Sequence, residues 1–148
     1  MVDLNLPNYP VRIKDVGGKK MIFDSVRKKF LVLTPEEWVR QNFIFFLTVE
    51  KRMPQSLIAV EMGLTLNKTK KRSDIVVYNR SGQPWLIVEC KAPAVKIDQK
   101  VFDQIARYNL TLQGEFLVVT NGMQHYCCQM FPREGRYSFL PDIPEFPV

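Results

Sequence analysis

The sequence predicts an α/β fold, a central mixed β-sheet flanked by helices. Two segments, Asp74 to Tyr78 and Trp85 to Lys91, read as strands with apolar residues on both faces, which suits strands covered on both sides. Helix signals lie before and after this pair, so the elements read roughly β–α–βββ–α–ββ. At 148 residues and 46% hydrophobic, the chain has enough apolar surface for one compact domain.

Val11 to Ile13, Met21 to Phe23 and Phe30 to Leu33 are short apolar runs broken by Gly17-Gly18 and by charges, the pattern of small strands or a hairpin. A helix starts next: Thr34 is an N-cap residue, Pro35 sits at the first helical position, and Glu37 is spaced to close a capping box. Trp38, Val39, Phe43, Phe46, Leu47 and Val49 give that helix a wide apolar face. Leu57 to Leu66 reads as a strand, followed by a basic loop. Asn79 to Pro84 is the turn joining the two apolar strands. A second helix is expected from about Asp98 to Leu112, with Val101, Ile105, Tyr108 and Leu112 on one face. Glu115 to Thr120 and Met123 to Cys128 flank Asn121-Gly122, a strong hairpin signal. The expected division is an N-terminal extension with short strands (1–33), a core (34–131) and a Pro-rich tail (132–148).

The composition excludes several classes. No apolar run approaches the roughly 18 residues of a membrane span, and the N-terminus lacks a signal-peptide layout. Three cysteines without a paired framework suit a reducing compartment, so the chain reads as cytoplasmic. Residues 1–72 hold 14 Lys and Arg against 7 acids, whereas 73–148 hold 7 against 8. All the basic excess therefore lies in the first half. Charge alone favours ordinary solubility over a polyanion-facing surface.

The chemistry lies in the central hairpin. Residues two apart on a strand share a face, so Glu89 and Lys91 point one way and Cys90 the other. If Tyr78 pairs with Trp85, Asp74 falls opposite Glu89, with Cβ atoms about 4.5–5.5 Å apart. Two carboxylates so close on a buried sheet repel and lose hydration unless a cation joins them. An oxygen-only ligand set on a nucleic-acid substrate makes that cation Mg2+, with Mn2+ as substitute. Lys91, one strand step on, is placed to reach a phosphate oxygen or the attacking water, in an electrostatic and positioning role. Solvated charges at strand ends are the bland alternative. His125 with Cys127 and Cys128 hints at zinc, but adjacent cysteines on one strand make poor tetrahedral geometry.

These residues resemble a known family. Asp74 with Glu89-Cys90-Lys91 looks like the PD-(D/E)xK nuclease core, with Ser73-Asp74 in place of Pro-Asp. TPEEWVRQ (34–41), KRSDIVVY (71–78), WLIVECKAP (85–93), FDQIARYN (102–109) and VVTNG (118–122) together resemble the N-terminal nuclease domain of type I restriction enzyme R subunits. The resemblance implies a restriction-endonuclease-like core and a Mg2+-dependent DNA endonuclease with Asp74, Glu89 and Lys91 as catalytic residues. It implies Glu37 as a further metal ligand from the first helix, against its local reading as the capping acid. Gln104 and Tyr108 match the Gln-x-x-x-Tyr motif of RecB-type nucleases and would position the phosphodiester. Lys68, Lys70, Lys71 and Arg72 lead into Asp74, as DNA phosphate contacts or as a solvated loop. The chain has no G-x-x-x-x-G-K-[ST] loop, so the ATP-driven motor of R subunits is not expected. The ends read as those of a stand-alone chain rather than an excised domain. Expected partners are DNA, with a homodimer or restriction or repair subunits beside it. The alternative function is a catalytically silent nuclease-fold module that binds nucleic acid or a protein.

Overall fold

The computed structural model describes residues 1–60 and 74–147, and between them only the backbone of two short strands. A three-stranded antiparallel meander opens the chain: β1 (Ile13–Val16), β2 (Lys19–Asp24) and β3 (Lys29–Val32). Gly17 and Gly18, at φ +58° and +82°, make the first turn. α1 (Pro35–Phe45) follows and continues as a wider π-helical turn over Phe46–Glu50. There the Thr48 hydroxyl bonds back to the Ile44 and Phe45 carbonyls, an insertion that loosens helical spacing.

The remaining strands are β4 (Ile58–Val60), β5 (Leu64–Leu66), β6 (Thr69–Lys71), β7 (Ile75–Tyr78), β8 (Pro84–Cys90), β9 (Phe116–Thr120), β10 (His125–Phe131) and β11 (Arg136–Leu140). Six form one mixed sheet in the order β11-β10-β9-β8-β7-β4, with only β8 and β9 parallel. A parallel pair needs a crossover, and α2 (Gln99–Asn109) supplies it, capped by Asp98, whose carboxylate accepts from the Val101 N–H. This is the α/β, restriction-endonuclease-like architecture expected from the sequence.

Strand alternation divides the core into two layers. Leu86, Val88 and Cys90 of β8 pack with Val39 and Phe43 of α1 and Leu47 of its π-helical turn, while Ile87 packs with Phe102 and Ala106 of α2. Glu89 shares the parity of Ile87 and so belongs to the α2 layer. The β7–β8 register, Ile75 with Val88 through Val77 with Leu86, is the one expected, and Asp74 precedes its first pair. It slips only at the turn, where Tyr78 pairs with Pro84 rather than Trp85. In that turn the Asn79 carboxamide oxygen accepts from Ser81 and Gln83, and Gly82 takes φ +79°.

Three expectations change. Among the described residues, Leu57 to Leu66 holds two strands, β4 and β5, in different sheets, β4 beside β7 and β5 beside β6. The second helix stops at Asn109, and Leu110–Leu112 tightens into a 3-10 turn. The supposed tail beyond 131 instead turns at 132–134 and returns as edge strand β11 along β10. At the Asn121-Gly122 turn, a Cβ on Gly122 would sit 2.6 Å from a Leu4 methyl, and its φ is +85°. The Gly122 carbonyl also accepts from the Asn5 N–H, so the N-terminal segment is stitched to this turn.

Phe43 is fully buried between α1 and the sheet. Phe43→Ala should therefore cost about 3–5 kcal/mol, read as a lower urea midpoint with an unchanged slope. A loss below 1 kcal/mol would mean that α1 is not packed as described.

Candidate active site

Asp74 lies at the entry to β7, only 4% exposed, and both of its oxygens are engaged. Oδ2 accepts from the Cys90 backbone N–H at 2.7 Å, and Oδ1 accepts from Arg40 Nη2 at 2.8 Å. The first bond ties the carboxylate to the neighbouring strand, one residue beyond Glu89. The second reaches across from α1, which is possible because Asp74 stands at the strand end rather than within the sheet.

Glu89 is 9% exposed and lies among Asp74, Lys91 and Asn109. Burial pushes its carboxyl up to about 8, and the Asp74 charge adds to the rise, while Lys91 opposes it. A Glu89 carboxyl raised in this way holds its proton beside the Asp74 carboxylate, which Arg40 balances. Lys91 follows β8, its N–H bonded to the Thr120 carbonyl, and extends the parallel pairing by one residue. A cleft of about 430 Å³ lies over this point, lined by Glu36, Asp74, Glu89 and Lys91 on one side and by Gln104 and Tyr108 of α2 on the other. Five of the residues singled out in the sequence thus converge on one cavity. Cys90 departs into the α1 layer, fully buried, and its thiol is held well above the ordinary range by that burial.

Glu37 is not among the lining residues. Its N–H bonds to the Thr34 hydroxyl, but its carboxylate turns to Arg40 and Gln41 instead of closing the capping box. Arg27 approaches it at 3.9 Å as well. The helix acid facing the cleft is its neighbour Glu36. Sequence spacing missed this because the rotation of α1 is set by packing of Val39, Phe43 and Leu47, which adjacent glutamates do not report.

Sequence reasoning also passed over Arg40. Its guanidinium is almost wholly buried and holds Glu36, Glu37 and Asp74 together. Burial opposes its charge, but the Asp74 and Glu37 carboxylates more than restore it. A charged residue among the apolar positions of α1 was the available signal. Asn109 was missed too; its carboxamide donates to the Ile105 carbonyl while it also contacts Glu89.

Among the described residues no three acidic, His or Cys side chains form a ready-made metal cage. The donors nonetheless suit a hard divalent cation, because such an ion takes one or two carboxylates and keeps several waters. The raised Glu89 carboxyl beside Asp74 marks the positive charge such an ion would supply. Cys127 and Cys128 enter opposite layers, and His125 bonds Thr120 and the Asn5 carbonyl, so these residues do not converge. The side chains of Lys68, Lys70, Lys71 and Arg72 lie outside the described residues.

Residues 35–144 match the family model described as type I restriction enzyme R protein N terminus. No curated protein matches the chain.

Two outcomes follow from the buried charges. A carboxyl raised from 4.5 to about 8 by folding binds its proton more tightly in the native state. Its stabilising contribution is complete below 4.5 and is lost as pH rises through about 8. Metal-free urea midpoints should fall across that window, and Glu89→Gln should flatten the fall; midpoints that rise with pH would contradict the raised Glu89 carboxyl. Arg40→Met leaves Asp74 buried without its cation and should cost about 3–5 kcal/mol in the same assay. A neutral effect would mean that Arg40 is not the compensating charge.

Proposed function

The chain belongs to the family of the type I restriction enzyme R protein N terminus, and from that premise we propose that it is a divalent-metal-dependent nuclease hydrolysing phosphodiester bonds in DNA. The observation that carries this reading is the buried pair Asp74 and Glu89 with Lys91 on the same cleft. A purely structural hairpin gains nothing from such a pair, since each buried carboxyl costs desolvation.

Asp74 and Glu89 would hold Mg2+, with Mn2+ as substitute, and Glu36 rather than Glu37 is the helix acid available to join them. When bound, the ion supplies Lewis-acid charge and makes water a competent nucleophile at neutral pH. Lys91 orients the attacking water and offsets negative charge growing on the phosphate oxygens. Gln104 and Tyr108, on the α2 wall, fix the phosphodiester against that attack. Lys68, Lys70, Lys71 and Arg72 remain the proposed phosphate contacts on the approach to Asp74. One such site cuts one strand, so a double-strand break calls for a homodimer or a partner subunit. The family description is consistent with DNA and with partner subunits. No helix among the described residues is long and apolar enough to cross a membrane; the proposed place of action is the cytoplasm.

The second reading is a silent nuclease-fold module. Arg40 favours it, because its guanidinium occupies the Asp74 oxygen that a metal would use. Supercoiled plasmid with Mn2+ at low salt separates the two. The nuclease reading expects nicking by wild type, a thermal shift on adding Mg2+ or Mn2+ that Asp74→Asn abolishes, and at least ~100-fold slower cleavage by Lys91→Ala with the thermal shift intact. Wild-type protein that binds DNA yet never cuts it would establish the silent module. Lys91→Ala cutting at the wild-type rate would remove Lys91 from the chemistry.

A further inference from the structure

The N-terminal meander lies before the residues that the family model matches, so the nuclease core does not account for it. One of its faces is turned inward, with Ile22 and Asp24 fully buried. Alternation therefore turns Lys19, Met21 and Phe23 of β2 outward. The register places Lys14 opposite Met21, Phe30 opposite Phe23 and Val32 opposite Met21 on the same outer face. Arg12 joins them, its carbonyl accepting from the Phe23 N–H.

Cations and rings interleave on this face. The Arg12 guanidinium lies 4.7 Å from the Phe23 ring centroid and 5.5 Å from that of Phe30, and the Lys14 ammonium lies 3.9 Å from Phe30. Such contacts hold long side chains in place without cancelling their charge. Arg12, Lys14, Lys19 and Lys28 are exposed and enter no ion pair among the described residues. The meander is also anchored beside the cleft. Arg27, from the β2–β3 turn, binds Asp24 at 2.7 Å and approaches Glu37, which Arg40 links to Asp74.

We propose that the outer face of the meander is a second nucleic-acid contact surface, on which Arg12, Lys14 and Lys19, with Lys28 of the β2–β3 turn, hold the phosphodiester backbone of DNA that enters the cleft. The inference takes DNA as partner from the reading above, but it needs no cleavage. Fixed positive charges with no acidic partner complement a polyanion, and binding releases the counterions that the polyanion carries. Partly covered aromatic rings beneath them offer apolar contact to sugars and bases.

The test is fluorescence anisotropy of labelled DNA with the full chain, in Ca2+, across a salt series. Arg12→Gln/Lys14→Gln should bind several-fold more weakly, with a log K against log salt slope shallower by about 2, near 0.9 per lost phosphate contact. Lys19→Gln/Lys28→Gln, which breaks no ring contact, should do the same and guards against misfolding of the first variant. Arg133→Gln/Arg136→Gln, an equal charge loss on the β10–β11 turn, should leave the slope unchanged. Unchanged affinity and slope in both meander variants overturns the proposal, and so does wild-type protein that binds no DNA. Sedimentation of the same variants without DNA adds a further arm. A shift in monomer–dimer balance with unchanged DNA affinity overturns it in favour of self-association through Val16 and Val32. Plasmid nicking by wild type reports the nuclease reading separately: the meander effect with no nicking keeps this surface and rejects that chemistry.

Discussion

Two carboxyl groups buried side by side set the terms for the structure around them. Asp74 meets Glu89 because it precedes the first β7–β8 pair, Ile75 with Val88, and accepts from the Cys90 N–H. Their burial is tolerable only with compensation from elsewhere in the fold. Arg40 supplies it from α1, Lys91 from the end of β8, and Asn109 from α2. Each lies on a different element, so the electrostatics of one strand pair constrain how both helices dock.

The two-layer core serves that arrangement. Apolar side chains of alternating parity fix β7, β8 and β9 between the helices, and rigid strand ends then present polar groups at the sheet margin. Asp74 belongs to the α2 layer by parity yet is gripped by a residue of the α1 layer. Only a position at a strand end can be reached from both sides.

The hairpin was legible in the sequence because two apolar strands flank one turn segment, and pairing Tyr78 near Trp85 sets the register up to the turn. The slip at Tyr78 was not legible, since Pro84 cannot donate and the bulge there depends on Asn79 and Gly82 forming their own turn. The helix start at Thr34 was equally plain, but a cap fixes where a helix begins and not how it is rotated. Glu36 and Glu37 differ by one position and only tertiary packing separates their roles. Arg40 was hidden for the same reason, its partner Asp74 being 34 residues away. β11 escaped notice because prolines flank a strand that needs only one neighbour, and edge strands tolerate such sequence. The pairing chemistry of Asp74 and Glu89 was therefore readable locally, whereas the long-range charge that balances it was not.

Cys127 and Cys128 are adjacent in the chain but belong to different layers, one packed towards α1 and the other towards α2. Burial pushes both thiols up to about 12, so neither supplies appreciable thiolate while the core is closed. Alkylation of either one then requires its own layer to open. Residue-resolved labelling rates would give two opening free energies from neighbouring positions, one for each side of the sheet. The chain thus carries an internal pair of probes for whether its two helices come away together or one at a time.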